Sequence, residues 1–523
     1  MKRYLYFFIT LTFLTLWSSC REDFEFSPST GSLQFSKDTV YLDTVFTETS
    51  SSTYNLKVYN KSDDDITIPS VRLALGDASN YRLSIDGIPG KRFEDIEIQA
   101  NDSLFVFVES TIDINTLPSL DGTFLYTDQI EFDAGSNLQS VELVTLVQDA
   151  VFIFPDRDDA TKVIETLTLN INGEIVETDL EGRELSPSEL TFTNDKPYVI
   201  YGFAAVPENK TLNIEAGARI HFHENSGIMV LNNASLKVNG AFSNDQELLE
   251  NEVIFEGNRL EPNFSEIPGQ WWAIWLFDGS VNNSINYATI KNATAGIISD
   301  GNPSEVNDKL TITNTKIYNS SSYGILGRNT SIHGENVVIN NSGLSSFAGT
   351  IGGKYNFTHS TLANYWNYSF RQFPTVLLNN YTFDEDGNIL IAELAEANFN
   401  NCIIYGDENV EFTLDEVEED NVDFNFKFTN CLIRFNDHND EFEGENYDFT
   451  NTTHYENNIF NEEPDFKDPN SNQMIIGDES AGINAGNSTY ATRIPFDILN
   501  VSRIAAPDLG AYQHITFEED ETP

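Results

Sequence analysis

The chain has 523 residues, 82 Asp and Glu against 29 Lys and Arg, and a formal net charge of -53. That length suits two or three domains with a large core, and 38 Phe and 21 Tyr against 3 Met favour strands over helices. So acidic a chain excludes a nucleic-acid partner, whose phosphates need Lys and Arg, and it disfavours an anionic polysaccharide unless calcium or a local basic patch intervenes.

Residues 1–20 read as a targeting segment. Lys2 and Arg3 precede an apolar run, Tyr4 to Trp17, that is too short to span a membrane as a mature helix. The run ends in WSSC. Small residues before Cys20 resemble the lipobox of bacterial lipoproteins, with Trp17 standing where an aliphatic residue is usual. Arg21, Glu22 and Asp23 resemble the export signal of Bacteroidetes-type surface lipoproteins. The resemblance implies lipidation of Cys20 and a membrane partnership through that anchor, on the outer face of the outer membrane.

Residues 21–150 are expected to form a β-sandwich. TVYLDTVF, STYNLKVYN, DITIPSVRLAL, FEDIEIQAN, SLFVFVES and SVELVTLVQ alternate over short runs divided by turn formers. LKVYNKSDDDITI resembles the paired strands of immunoglobulin-like modules, with Asp63 to Asp65 in a hairpin loop. Residues 151–205 carry breakers (PDRDDATK, LEGRELSPSEL) and are expected to link the sandwich to the next domain and cap it.

From 210 the pattern changes. Six lines, NYATIKNA, TNTKIYNS, ENVVINNS, HSTLANYW, NNCIIYGD and TNCLIRFN, align on Ile290, Ile317, Ile339, Leu362, Ile404 and Ile433. Two residues earlier stand Ala288, Thr315, Val337, Ser360, Cys402 and Cys431. A period of two within each line indicates strands with both columns inward and Thr289, Lys316, Val338, Thr361, Ile403 and Leu432 outward. Recurrence at 22 to 27 residues over the first four lines indicates stacked coils. Longer steps place insertions near 370–397 and in EFTLDEVEED. Asn292, Asn319, Asn341 and Asn364 are expected at strand ends, bonded from coil to coil. KTLNIEAGARIHFHENSGIMVLNNASLKVNGAF (210–242) resembles the opening coils of bacterial right-handed parallel β-helix proteins, with Gly217, Gly227 and Gly240 at turns. SAGINAGN and APDLGAYQH resemble the closing motifs of that family. The expected fold is therefore all-β: an immunoglobulin-like sandwich, a right-handed parallel β-helix over 206–515 and an acidic tail, 516–523.

The chemistry is less marked. Cys402 and Cys431 fall on one inward column, where strands ~4.8 Å apart favour free thiols over a disulfide. His221 and His223 share one strand face and are expected as a solvent-facing pair, since two ligands do not make a metal site. EFTLDEVEED and DHNDEFEGENYD are acidic enough for structural calcium but match no calcium-loop spacing, and solvated loops are the simpler reading. No metal site, cofactor motif or catalytic set is evident. The outward bases Lys291, Lys316, Arg328, Lys354 and Arg371 form no basic row. Exposed aromatic faces for a polysaccharide are expected at Tyr365, Trp366 and Tyr368, and next at Trp271, Trp272 and Trp275. The leading expectation is a non-enzymatic surface protein that binds glycans or mediates adhesion. The alternative is a polysaccharide-degrading glycoside hydrolase or lyase.

Overall fold

The computed structural model describes residues 25–117, 123–171, 173–301, 306–384 and 386–518; Cys20 and its neighbours lie outside them. The protein is all-β and divides into two units, Met1–Asp149 and Ala150–Pro523.

In the first unit, alternation sorts side chains between two faces. Ser103–Ser110 (SLFVFVES) buries Leu104, Val106 and Val108 and turns Phe105 and Phe107 to solvent. It pairs antiparallel with Tyr54–Tyr59 and Tyr81–Ile85. A second sheet holds Ile66–Leu73, Arg92–Ile98, Thr123–Phe132, Gln139–Gln148 and Thr39–Phe46. Val58, Val106 and Val108 of one sheet share a core with Val40, Ile68 and Leu143 of the other. The expected hairpin in LKVYNKSDDDITI is absent. Tyr54–Tyr59 and Ile66–Leu73 belong to different sheets, so Asp63 to Asp65 lie in the crossing between them. Buried Asn60 holds that crossing by donating to the carbonyls of Asp64 and Gln99, and Asp65 accepts the Ala100 N–H.

In the second unit nearly every strand pairs in parallel with the strand about three places on, so each turn of chain lies on the last. This pairing starts at Val151–Ile153, which pairs with Tyr198–Ile200; residues 151–205 thus supply strands as well as an antiparallel hairpin, Thr166–Ile171 with Glu174–Glu184. The inward column is continuous. Ile220, Phe255, Ile290, Ile317, Ile339, Leu362, Ile404 and Ile433 are successive partners and all fully buried. Ala288, Thr315, Val337, Ser360, Cys402 and Cys431 are buried beside them, and both cysteines are free thiols. Their sulfurs donate to strand carbonyls, Cys402 to Asn400 at 3.3 Å and Cys431 to Phe399 at 3.2 Å.

Two ladders fix the corners. Asn292, Asn319 and Asn341 all have positive φ, and each amide donates to the one before, at 3.3 and 2.6 Å. Asn364 leaves this ladder and bonds Ser342 backbone instead. The second ladder lies one residue before the other inward column. Tyr287, Asn314, Asn336, His359, Asn401 and Asn430 are all left-handed there, and Asn314 and Asn336 repeat the amide-to-amide bond at 3.0 and 2.9 Å. Asn suits this position because its short side chain tolerates the conformation. Of the expected turn glycines, only Gly217 has positive φ; a Cβ on Gly227 or Gly240 would instead strike the carbonyl of Ala273 or Tyr287.

Insertions are smaller than expected. Val376–Asn379 and Phe412–Asp415 are strands of the stack, paired with each other. The inserted parts are the loop 365–375, the hairpin Tyr381–Phe383 with Ile389–Ile391, and the loop 416–423.

The outward column also departs from expectation. Val338, Thr361, Ile403 and Leu432 point away from the coil interior yet are buried. The chain beyond residue 463 returns along the outside of the stack and covers them. Met474, Ile498, Ala511 and Tyr512 pack on Val338 and Ala363; Ile476 and Leu509 pack on Ile403 and Leu432. The Ala511 N–H donates to Thr361 Oγ1 at 3.0 Å and the Gly510 N–H to the Asn401 carbonyl at 2.8 Å. SAGINAGN and APDLGAYQH therefore form a strap along the side. The last strands are covered by aromatics of 437–449: Phe442 meets Phe435 at 5.5 Å and Phe449 meets Phe460 at 4.6 Å.

Candidate functional site

The loop 365–375 leaves the stack where Thr361–Asn364 ends. Leu362 is buried in the inward column, and Asn364 is held by Ser342. The loop's centre is an ion pair. Arg371 has a side chain 1% exposed and reaches Glu411, itself 0% exposed, at 2.6 Å, and Asp407 at 2.7 Å. It also donates to the carbonyls of Asn364 and Phe373. Glu411 accepts from the N–H groups of Thr375 and Glu408 and from Thr375 Oγ1. Burial pushes the Glu411 carboxyl up, and Arg371 opposes that shift. Removing either partner leaves a buried charge unpaired, so the pair pins the loop.

Around this anchor the rings point outward. Phe370 is 82% exposed, Tyr368 46% and Phe373 41%. The Tyr368 hydroxyl donates to the Glu266 carbonyl at 2.7 Å, tying the loop to the neighbouring one. The other expected aromatics are placed differently. Trp366 is buried under Tyr368, ring centres 5.1 Å apart, with Nε1 on Ser369. Tyr365 packs edge-on against Phe466 of the strap. Trp271 lies inside the stack: its ring is 1% exposed, stacks on Phe222 at 4.2 Å and donates to the Lys291 carbonyl. Trp275 is half-buried, bonded to Asp300 and packed on Phe203 and Phe277. Trp272 is exposed at 40% but apart from these contacts. Phe370 and Phe373 were not among the expected residues; the signal for them is Arg371, a cation set among five aromatics in YWNYSFRQFP.

The outward bases are neutralised. Lys291 meets Glu256, Lys316 meets Glu252, Arg328 meets Asp300 and Lys354 meets Asp308, all within 3.2 Å. With Arg371 on Glu411, all five carry a carboxylate partner. The His221–His223 pair is split. His221 is buried beside Glu256 at 3.6 Å, while His223 is exposed and packs on Tyr201. The two alternate as expected, but Glu256 and Lys291 of the following coils cover the first. In the acidic loops, Asp437 accepts the N–H groups of Glu441 and Phe442. Among the described residues no group of three or more His, Cys, Asp or Glu gathers to hold a metal ion. No helix among them is long and apolar enough to cross a membrane.

No family model and no curated protein matches the chain. Among solved structures it is similar over 22% of its length to a family 123 glycoside hydrolase from Clostridium perfringens, at 12% identity and TM-score 0.15, spanning 26% of that chain. It is similar over 25% to a human ASH/PapD-like domain, at 11% identity and TM-score 0.15, spanning 94% of that chain. It is similar over 28% to the major pilin subunit of Bacillus cereus, at 15% identity and TM-score 0.16, spanning 50% of that chain. Likenesses this slight carry no argument about fold or function.

Proposed function

We propose that the protein is a non-enzymatic glycan-binding lipoprotein of the cell surface. In this reading Cys20 carries the lipid on the outer face of the outer membrane, and an immunoglobulin-like sandwich and a right-handed parallel β-helix follow along the chain. The loop 365–375 is the binding element. The parallel pairing and continuous inward column support the β-helix, and the two sheets with one shared core support the sandwich.

One observation carries the binding role: Tyr368, Phe370 and Phe373 are exposed around an arginine that is wholly buried in its ion pair. Aromatic rings offer flat apolar faces for a sugar ring to stack on, and a loop pinned from beneath loses little freedom on binding. Neutralised outward bases favour an uncharged glycan over a uronate. The test is a glycan array with the full chain, run with reducing-sugar and unsaturated-uronate assays. Binding without turnover is expected, weakened about tenfold by Phe370→Ala and less by Tyr368→Ala. Turnover lost on replacing an outward carboxylate moves the reading to a polysaccharide-degrading enzyme, and an empty array moves it to a structural role in the envelope.

A further inference from the structure

A second site lies where the strap passes the corner of the coils, in residues the aromatic loop does not use. A cavity of about 370 Å³ opens there, lined by Tyr287, Glu335, Arg493, Phe496 and Asn500 among others. That volume falls within the range of small-ligand pockets.

Its floor is the second corner ladder, and the ladder's amides are already committed. Asn314 Nδ2 donates to Asn286, and Asn336 Nδ2 donates to Asn314 and to the Phe496 carbonyl, while Asn336 Oδ1 accepts from Arg503. The floor is thus a fixed polar surface. One wall is Phe496, 48% exposed. Its backbone is clamped on both sides: it bridges Ser502, and the next residue, Asp497, accepts the N–H groups of Leu499, Val501 and Gln513 at 2.9, 2.7 and 2.8 Å. The backbone that carries the ring therefore need not order on binding. Asp497 also lines the cavity, but it is buried and its oxygens are taken by those N–H groups; beside it stand two more exposed groups of opposite charge. Glu335 Oε1 bonds His333 at 2.9 Å, leaving Oε2 for a ligand. Arg493, exposed at the end of the short helix Ser488–Arg493, is a second lining residue.

A carboxylate and a guanidinium together give no net attraction for an ion. They supply both an acceptor and donors beside one aromatic face, which matches a ring whose hydroxyls donate and accept along its edge and whose C–H groups form an apolar face. We infer that this cleft binds one pyranose unit of a neutral glycan, stacked on Phe496, with Glu335 accepting from its hydroxyls and Arg493 donating to them. The inference stands on the cleft and does not need the loop to bind.

Ligand-observed NMR on the full chain, with methyl glycosides of glucose, galactose, mannose and N-acetylglucosamine, tests it. At least one glycoside should receive saturation from the protein. In a Phe370→Ala/Phe373→Ala background, which strips the loop of its rings so that the signal reports on the cleft, Phe496→Ala should weaken that binding about tenfold, and Glu335→Gln and Arg493→Ala severalfold each. Glu335 is partly exposed, so Glu335→Gln carries the test if Phe496→Ala does not fold. No saturation with any of the four overturns the proposal. So does binding that survives Phe496→Ala and Glu335→Gln in that background. An empty glycan array beside a positive result here would sink the loop reading alone.

Discussion

One outward column of the stack changes character along its length. Arg219, Ile254, Thr289 and Lys316 are successive partners at one end, and Val338, Thr361, Ile403 and Leu432 continue the same line. The first four stand among charges: Lys316 meets Glu252 at 3.2 Å, Thr289 donates to Glu252, and Lys291 meets Glu256 nearby. The last four are buried beneath the strap. The backbone pairing is the same at both ends. What differs is the cover, so the inward columns follow from the coil while the outward column follows from what lies on it.

A lysine placed in each half should separate them most sharply. Ile403 is fully buried beneath Leu509 and Ile476, so Ile403→Lys forces a charge into an apolar layer without a partner. It should cost more than about 4 kcal/mol. Ile254 stands in the same column but is only partly covered, and Ile254→Lys should cost within about 1 kcal/mol. Urea midpoints of the two variants decide it. Equal losses would mean that the strap is not what buries the second half.

Two arginines give the next contrast, each gathering carbonyls. Arg503, 0% exposed, donates to Gly510 and Ala511 of the strap and to Asn336 of the coil corner. Arg219 donates to the carbonyls of Glu252 and Leu249 from a half-covered position. Arg503→Leu strands buried acceptors and should cost about 3 kcal/mol, against about 1 kcal/mol for Arg219→Leu, whose carbonyls can turn to water. Thermal melts of the pair would show it, and a larger loss at Arg219 would reverse the assignment of the strap as the tighter layer.

The same contrast explains what the sequence made legible. The Ile290 to Ile433 column was readable because strand alternation and a short repeat act within neighbouring residues. The Asn292–Asn319–Asn341 ladder was readable for the same reason. The second ladder was equally local, as the Asn in TNT, ENV, NNC and TNC shows, but a single polar residue type marks a turn less plainly than an aliphatic column marks a strand. The burial of Val338 was not readable, because its cover, Ile498, lies 160 residues away and no periodicity connects them. The binding loop was half readable. Aromatic residues marked it, but which ones face out depends on Arg371 finding Glu411 forty residues later. Trp271 looked like part of an exposed cluster because its stacking partner, Phe222, belongs to an earlier turn of the chain.

Acid should distinguish the halves by the smallest margin. Each contains a buried histidine held below its ordinary pKa by burial, His221 in the charged half and His359 under the strap. In both cases the unfolded chain takes up the proton first as pH falls below 6.5, so stability drops with falling pH, by at most about 1.4 kcal/mol for each pH unit. Their neighbours differ. Glu256 stands 3.6 Å from His221 and opposes its shift, so the loss there ends early. Arg503 adds to the shift at His359, where a second cation would have to share a buried site, so the loss there continues to lower pH. Acidification should therefore loosen both halves from the same pH but carry the strap further. Amide exchange at Thr361 and Ile403 should go on accelerating at pH values where exchange at His221 and Glu256 has levelled off. His359 sits at a corner with φ of 49°, where the other coils carry Asn, so His359→Asn keeps the turn and removes the proton site. That variant should flatten the acid response of the strap and leave His221 as it was. Equal loosening of both halves down to low pH, or an unchanged response in His359→Asn, would show that their electrostatics are not distinct.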